Sequence, residues 1–283
     1  MVGFPSVGAS LRGYLLNSSL VSEGYPVQDR LLSTGADFYV EDSRMTYGSM
    51  RAGVSFEQTP FEHRLSFNMY RDGWDWKNYW ASAFLDLCFD TTNDRYFPIK
   101  GFKTTLNGRY VFGGYNSNLS FLELVPDGKV PGYASVMASV SGAISPAEGF
   151  TVLPALYVGW NSIQTKMMNP LHAVSVGGIL QGRYVDRQMP FFGFAAGFQS
   201  CRTMSASAQM DLRYCLARKN FITLRGGTFI DSGSFVELQA NPYLIWAVGA
   251  EYARKTIVGP LKAAVQWCND TGFSVSASIG FDF

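Results

Sequence analysis

The chain has 283 residues and a formal net charge of +1, with 47% apolar, 15% aromatic and only 16% charged residues, against roughly 25% charged in soluble domains. Near-neutrality without a concentrated basic stretch argues against a nucleic-acid partner, and no apolar run reaches the ~18 residues that a membrane helix needs. The chain is also rich in Gly (29 residues), so its composition fits a surface solvated by something other than water and crossed by strands instead of helices.

Taken in chain order, Met1 to Leu20 has no basic region followed by an apolar one, hence no export signal in this stretch. A signal is expected to have been removed or to belong to a longer parent chain. Residues 1–30 are an uncertain lead-in. Candidate strands then follow at 34–41, 46–56, 61–71 and 78–91, separated by Gly, Pro, Asn and Asp turn signals such as Arg71-Asp72-Gly73. At 102–112, Phe102, Thr104, Leu106, Tyr110 and Phe112 alternate with Lys103, Thr105, Asn107 and Arg109, so the charges share one face. Further strands are expected at 132–144, 149–161, 170–180 and 190–199.

The longest alternation runs through Met204, Ala206, Ala208, Met210, Leu212, Tyr214 and Leu216, opposed by Ser205, Ser207, Gln209, Asp211 and Arg213. Strands at 219–230 and 242–256 come next. After them Leu261, Ala263, Val265 and Trp267 oppose Lys262, Ala264, Gln266 and Cys268. Last, Phe273, Val275, Ala277, Ile279, Phe281 and Phe283 oppose serines, Gly280 and Asp282. No stretch reads as an amphipathic helix. The expectation is all-β: an antiparallel transmembrane β-barrel in the bacterial outer membrane, one domain over 1–283 with about 12 to 14 strands, apolar side chains toward lipid and polar ones toward the lumen. Period-two alternation alone would also fit a soluble sandwich or propeller.

Four residue patterns resemble a known family. The Gly249–Leu261 stretch, with its Gly259-Pro260-Leu261 turn, looks like the penultimate hairpin of the Omp85 superfamily, the bacterial surface antigen (D15) barrels. Phe97-Pro98-Ile99-Lys100-Gly101 is similar to the family's Phe-Pro-x-x-Gly turn, and Asp211-Leu212-Arg213-Tyr214 resembles its Glu-Leu-Arg-Tyr stretch. The segment 177–190 sits where the family carries a loop folded back into the lumen, in the version found at the C-terminal barrel of patatin-like phospholipases of Bacteroidetes-type bacteria.

The resemblance implies that Arg183, beside Tyr184, docks on the lumen acid Asp211 near Arg213, although the order here is Gly-Arg-Tyr where the family has Arg-Gly-aromatic. Where the family leads one to expect an acid on the next strand, this chain has Leu224-Arg225-Gly226-Gly227. The resemblance also implies outer-membrane lipid as surroundings, the barrel-assembly machinery as a partner read through Phe281 and Phe283, and N-terminal passenger or POTRA domains. Family barrels have about sixteen strands, so the chain is either the C-terminal part of such a barrel or a shorter one that closes with an even count. The expected role is membrane anchor or translocation pore; a stand-alone porin-like channel and the C-terminal part of an outer-membrane patatin-like phospholipase are the alternatives.

No chemistry of its own is expected, and no cofactor. Gly8-Ala9-Ser10-Leu11-Arg12 lacks the second Gly of a nucleophile elbow, and Asp127-Gly128 lies in a Pro-rich loop. The two histidines, His63 and His172, fall in phase with apolar neighbours, which suggests an aromatic role at the membrane interface. Cys88, Cys201, Cys215 and Cys268 have no ligand spacing for a metal, while a disulfide among them stays open.

Overall fold

The computed structural model describes residues 5–22, 25–42, 46–59, 61–65, 79–115, 129–163, 168, 171–178, 187–194, 198–217, 219–240 and 244–280, with backbone only at 14–22, 25–32, 61–65, 198–200 and 217. The strands are β1 (Ser6–Ser22), β2 (Tyr25–Asp42), β3 (Gly48–Gln58), β4 (Phe61–Leu65), β5 (Tyr79–Asp90), β6 (Gly101–Tyr115), β7 (Lys129–Val130), β8 (Tyr133–Ala147), β9 (Phe150–Asn161), β10 (Ser175–Gly177), β11 (Gln188–Met189), β12 (Phe198–Ser200), β13 (Met204–Ala217), β14 (Asn220–Ser232), β15 (Leu244–Thr256), β16 (Gly259–Cys268) and β17 (Gly272–Ile279). A 14-stranded sheet runs in the order β1-β2-β3-β5-β6-β8-β9-β13-β14-β15-β16-β17, with β4 on β2 and β7 on β6. Apart from the short strands β4 and β7 and the excursion between β9 and β13, neighbours in the sheet are neighbours in sequence, so the topology is a meander. No described helix is long and apolar enough to cross a membrane.

By compactness the chain divides into two units, residues 1–45, 49–86 and 109–134 in the first, 46–48, 87–108 and 135–283 in the second. In the first unit β1 and β2 pair from Ser6 with Glu41 to Ser22 with Tyr25. Its exposed residues include Val7, Leu11, Phe38 and Phe56, whereas Asp37, Ser55, Glu57, Ser82 and Arg109 are among the buried ones. Those buried charges are paired: Glu57 Oε1 lies 2.7 Å from Arg12 Nη2 and 2.8 Å from Arg109 Nη1, and Arg12 also meets Asp37. The lead-in expected to resist assignment is therefore a long hairpin.

In the second unit β13 pairs with both β9 and β14, β14 with β15, β15 with β16 and β16 with β17, all antiparallel. Leu156, Val158, Trp160, Leu212, Tyr214, Leu224, Val265, Trp267, Phe273 and Val275 are exposed. On the opposite face Ser135, Ser139, Thr151, Ser207, Arg213, Thr223 and Gln266 are buried. Soluble proteins bury the first kind of side chain and expose the second. The inversion bears out the expected orientation, with lipid as the solvent for the apolar side.

Strand lengths follow the sequence closely at Tyr79–Asp90, Phe150–Asn161 and Asn220–Ser232. Two expectations fail. The strands expected at 170–180 and 190–199 are not part of the large sheet. Within them lie β10, β12 and a 3-10 turn at Phe192–Phe194, and β10 takes β11 in parallel and β12 antiparallel to form a separate three-stranded sheet. A short helix, α1 (Phe235–Ala240), also appears where none was expected. Its start is capped, since Glu237 N–H donates to Ser234 Oγ at 3.1 Å and Gly233 N–H to Glu237 Oε2 at 2.9 Å. Ser234-Phe235-Val236-Glu237 carries the Ser-x-x-Glu signature of such a start.

Candidate functional site: a plug on the polar face

Residues 171–178 and 187–193 are buried without exception. They form a plug of the second unit, built around β10 to β12, that lies on the polar face of β9 and β13–β16. Its apolar side chains Val174, Val176, Met189, Phe191 and Phe192 pack with Met137, Tyr157, Phe229, Ile245, Ala247 and Cys268 of the wall in one cluster. Small residues in the wall make room for it. A Cβ added to Gly159 would stand 2.4 Å from Val174 Cγ1, and one on Gly227 would stand 3.1 Å from the Phe192 ring. Glycine in a strand commonly marks such close approach.

The plug's backbone is satisfied by the wall, as buried peptide groups must be. Asn161, fully buried at the end of β9, accepts from Val174 N–H at 3.0 Å and donates to the Cys201 and Arg202 carbonyls at 3.1 and 3.0 Å. Ser135 Oγ donates to the His172 carbonyl at 2.6 Å, and Thr271 Oγ1 to that of Gly193 at 2.8 Å. Gln209 Nε2 reaches the Pro190 carbonyl. Inside the plug, Arg187 donates Nε to His172 O at 3.0 Å and Nη2 to Leu171 O at 3.1 Å. His172 is only 1% exposed and Val174 and Val176 are at 0%, so the expected place of all three on a lipid-facing strand is corrected. The alternation that suggested it is real but packs against the wall. The His63 side chain lies outside the described residues.

Arg183 and Tyr184, expected in the inward loop, and Phe281 and Phe283, expected as the assembly signal, also lie outside the described residues. Asp211 and Arg213 are described, two residues apart on the polar face of β13, yet they serve different neighbours. Asp211 Oδ2 is 3.1 Å from Arg225 Nε, and Glu251 Oε2 is 3.2 Å from Arg225 Nη1. Arg225 further lies over the Phe192 ring, 5.5 Å from its centroid, so the pair of acids, the guanidinium and the plug are in one contact chain. Asp211 and Arg225 are cross-strand partners in the β13–β14 register. The sequence held that signal, because the two stand at nearly equal distances from the turn at 217–220.

Arg213 turns the other way, toward the connection 91–100. It donates to the Pro98 carbonyl, and its guanidinium lies 5.7 and 5.6 Å from the ring centroids of Phe97 and Phe221, which stack directly on each other 4.3 Å apart. Asp94 closes this turn. It accepts from the backbone N–H groups of Tyr96 and Phe97 at 2.9 and 3.0 Å and from Lys255 Nζ at 2.8 Å. Burial pushes its carboxyl up, but the hydrogen bonds from Lys255, Phe97 and Tyr96 together outweigh that and hold it down to about 2. Gly101 ends the turn at φ 106°, where a Cβ would stand 2.4 Å from the Thr91 carbonyl. The Phe97–Gly101 motif thus tethers a turn to β13–β15.

The described residues, which include all four cysteines, contain no disulfide and no group of three His, Cys, Asp or Glu side chains able to hold a metal. Burial raises the pKa of the Cys201 thiol, and with it the cost of forming a thiolate.

The family model described as OMP85 superfamily matches residues 35–283. The chain belongs to the OMP85 superfamily. Among solved structures, BamA from Haemophilus ducreyi lacking POTRA domains 1-3 is similar at a TM-score of 0.62 and 12% identity, over 96% of this chain and 57% of that one. The OMP85 chain therefore spans little more than half the length of that relative. The translocator domain of the autotransporter NalP from Neisseria meningitidis covers 98% of the chain, and 87% of its own length is matched, at a TM-score of 0.32 and 9% identity, too loose a likeness to argue from. No curated protein sequence matches. Family, inverted exposure and strand content together make this OMP85 protein an integral protein of the bacterial outer membrane, built on an antiparallel β-barrel fold of the BamA type.

Proposed function

We propose that this OMP85 barrel is the membrane anchor of a larger surface protein and, when its plug moves, the passage for the segment it carries. The observation that carries this reading is the plug. Its buried side chains pack on the polar face of the wall from Tyr157 to Cys268, where an open channel would keep water. Arg225, held by Asp211 and Glu251 and covered by Phe192, joins wall and plug and would have to shift if the plug left. In this reading 177–190 is the inward-folded loop, and Arg183 and Tyr184 belong to its brace. The last strand, with Phe281 and Phe283, is what the assembly machinery engages. A passenger of patatin-like type would carry whatever hydrolytic chemistry the parent has.

Conductance in planar bilayers tests the reading. The purified chain is expected to give brief, small openings, and a variant lacking 177–190 a steady pore. A large steady conductance from the intact chain would make it a stand-alone channel instead. Hydrolysis of phospholipid by the purified chain would overturn the assignment of chemistry to a passenger.

A further inference from the structure

At one end of the second unit the connections 147–150, 217–220 and 256–259 are tight turns and 91–100 is the longest; at the other end 268–272 is tight, 232–244 is about as long as 91–100, and 161–204 is by far the longest connection of the unit. Outer-membrane barrels keep short turns toward the periplasm and long loops toward the exterior. Helix α1 therefore stands at the exterior end of the wall. It lies beside a groove of about 440 Å³ on the lipid-facing side. Cross-strand neighbours make the floor, since Val136 pairs with Trp160, Ala138 with Val158, and Val158 lies level with Ala206. The small side chains Ala138 and Ala206 leave a depression there, and Trp160 and Leu238 of α1 complete its lining. Phe235 and Val236 of the same helix are 58% and 73% exposed, which suits a helix dipping into the apolar layer and not one facing water.

The rim carries charge. Arg202 donates Nη1 to Glu237 Oε1 and Nη2 to the Asp231 carbonyl, both at 2.6 Å, and its Nε is 3.4 Å from Asp231 Oδ2. Asp231 and Glu237 adjoin the groove residues Ile230 and Leu238 in sequence, and Arg202 stands two residues before Met204. The guanidinium is fixed by these contacts, but its side chain stays 48% exposed and two of its five N–H donors have no partner among the described residues. A phosphate oxygen is a strong acceptor for such donors.

We propose that this groove is a specific lipid site, taking one acyl chain of a phosphate-bearing glycolipid of the exterior leaflet, of the lipid A class, with a headgroup phosphate on Arg202. The groove is continuous with the surface already immersed in lipid, so an acyl chain is the occupant present at high concentration. The loop lengths select the leaflet, and the half-exposed guanidinium selects the phosphate. Helix α1 then serves as a clip that separates one bound lipid from the mobile layer.

Native mass spectrometry of the full chain in detergent, titrated with lipid A or with a diacyl phosphatidylglycerol, tests the site. The wild-type chain is expected to retain one lipid A and to prefer it at least tenfold. Ala206→Trp fills the depression and is expected to cut retention at least tenfold. Leu238→Ser, which leaves every strand untouched, is expected to act in the same direction, and Arg202→Gln to weaken lipid A several-fold. Heat-modifiable migration on a gel shows whether each variant is folded. Equal retention by folded Ala206→Trp and Leu238→Ser overturns the site, and equal affinity for phosphatidylglycerol overturns its assignment to the exterior glycolipid.

Discussion

Arg225 shows how a residue out of place by one rule follows another. An arginine stands where the family pattern leads one to expect an acid, but that acid is supplied twice by the flanking strands, as Asp211 on β13 and Glu251 on β15. The three side chains are 15%, 16% and 9% exposed, so each charge depends on the others and not on water. Arg225→Met would leave two carboxylates together and is expected to cost about 3–5 kcal/mol, the usual penalty for removing one partner of a buried pair. Adding Asp211→Asn to that variant should recover part of the loss, because one unpaired charge goes with it. Urea unfolding from detergent-stabilised bilayers measures both. A loss under about 0.5 kcal/mol in the single variant would mean that the cluster is solvated. Gly159 sets a steric counterpart: Gly159→Ala places a methyl 2.4 Å from Val174 Cγ1 and 2.7 Å from Ser205 Oγ. It should loosen the plug while leaving the wall folded, visible as faster hydrogen exchange at Val174 with unchanged migration on gels.

Among elements, the turn 91–100 is held by its own hydrogen bonds to the Asn93 and Asp94 side chains and is tied to the second unit's strands through Arg213 on Pro98, Phe97 on Phe221 and Lys255 on Asp94. The folded Asp94 carboxyl, at about 2, sits below its ordinary 3.8. A depressed carboxyl stabilises the folded form fully above the ordinary value and loses that contribution as pH falls through the folded one. Protection of the Tyr96 and Phe97 amides, taken relative to the intrinsic exchange rate at each pH, is therefore expected to fall between about pH 4 and pH 2 and to be flat in that range in Asp94→Asn. A turn that loosens equally in both proteins would remove Asp94 as its clasp. Elements were legible in the sequence to the extent that period two was their cause. The wall strands were, because each alternates over its full length. The plug was not: Val174, Val176 and His172 alternate too, and period alone does not tell a lipid-facing side chain from one pressed onto a wall. Helix α1 was legible only by its cap, since six residues are too few for a helical period to show.

At the scale of the molecule, the exposed aliphatic face and the buried serine, threonine and arginine face decide the solvent, and with it the family's place in the outer membrane. The alternation was readable from the start. That the apolar side met lipid was readable from the low charge content and the family resemblance together with the period, since a soluble sandwich would write the same alternation. The candidate site was legible in part: Asp211 and Arg213 were placed on the polar face, but Arg225, Asn161 and the Phe192 contact depend on long-range packing that no local pattern encodes. If lipid is the solvent, the cost of a charge on the outer face must depend on depth. Strand β9 offers the test within one element, since Phe150, Leu156 and Trp160 share its outward side. Leu156→Arg, near the middle, is expected to cost about 2–4 kcal/mol, and Phe150→Arg or Trp160→Arg, near the ends, about 0–1 kcal/mol for the charge itself. Unfolding titrations in phospholipid bilayers give these differences. A soluble sheet with one face in water would instead tolerate all three charges alike, so a flat profile along β9 would remove the membrane from the explanation, and a peaked one would locate the bilayer midplane on the strand.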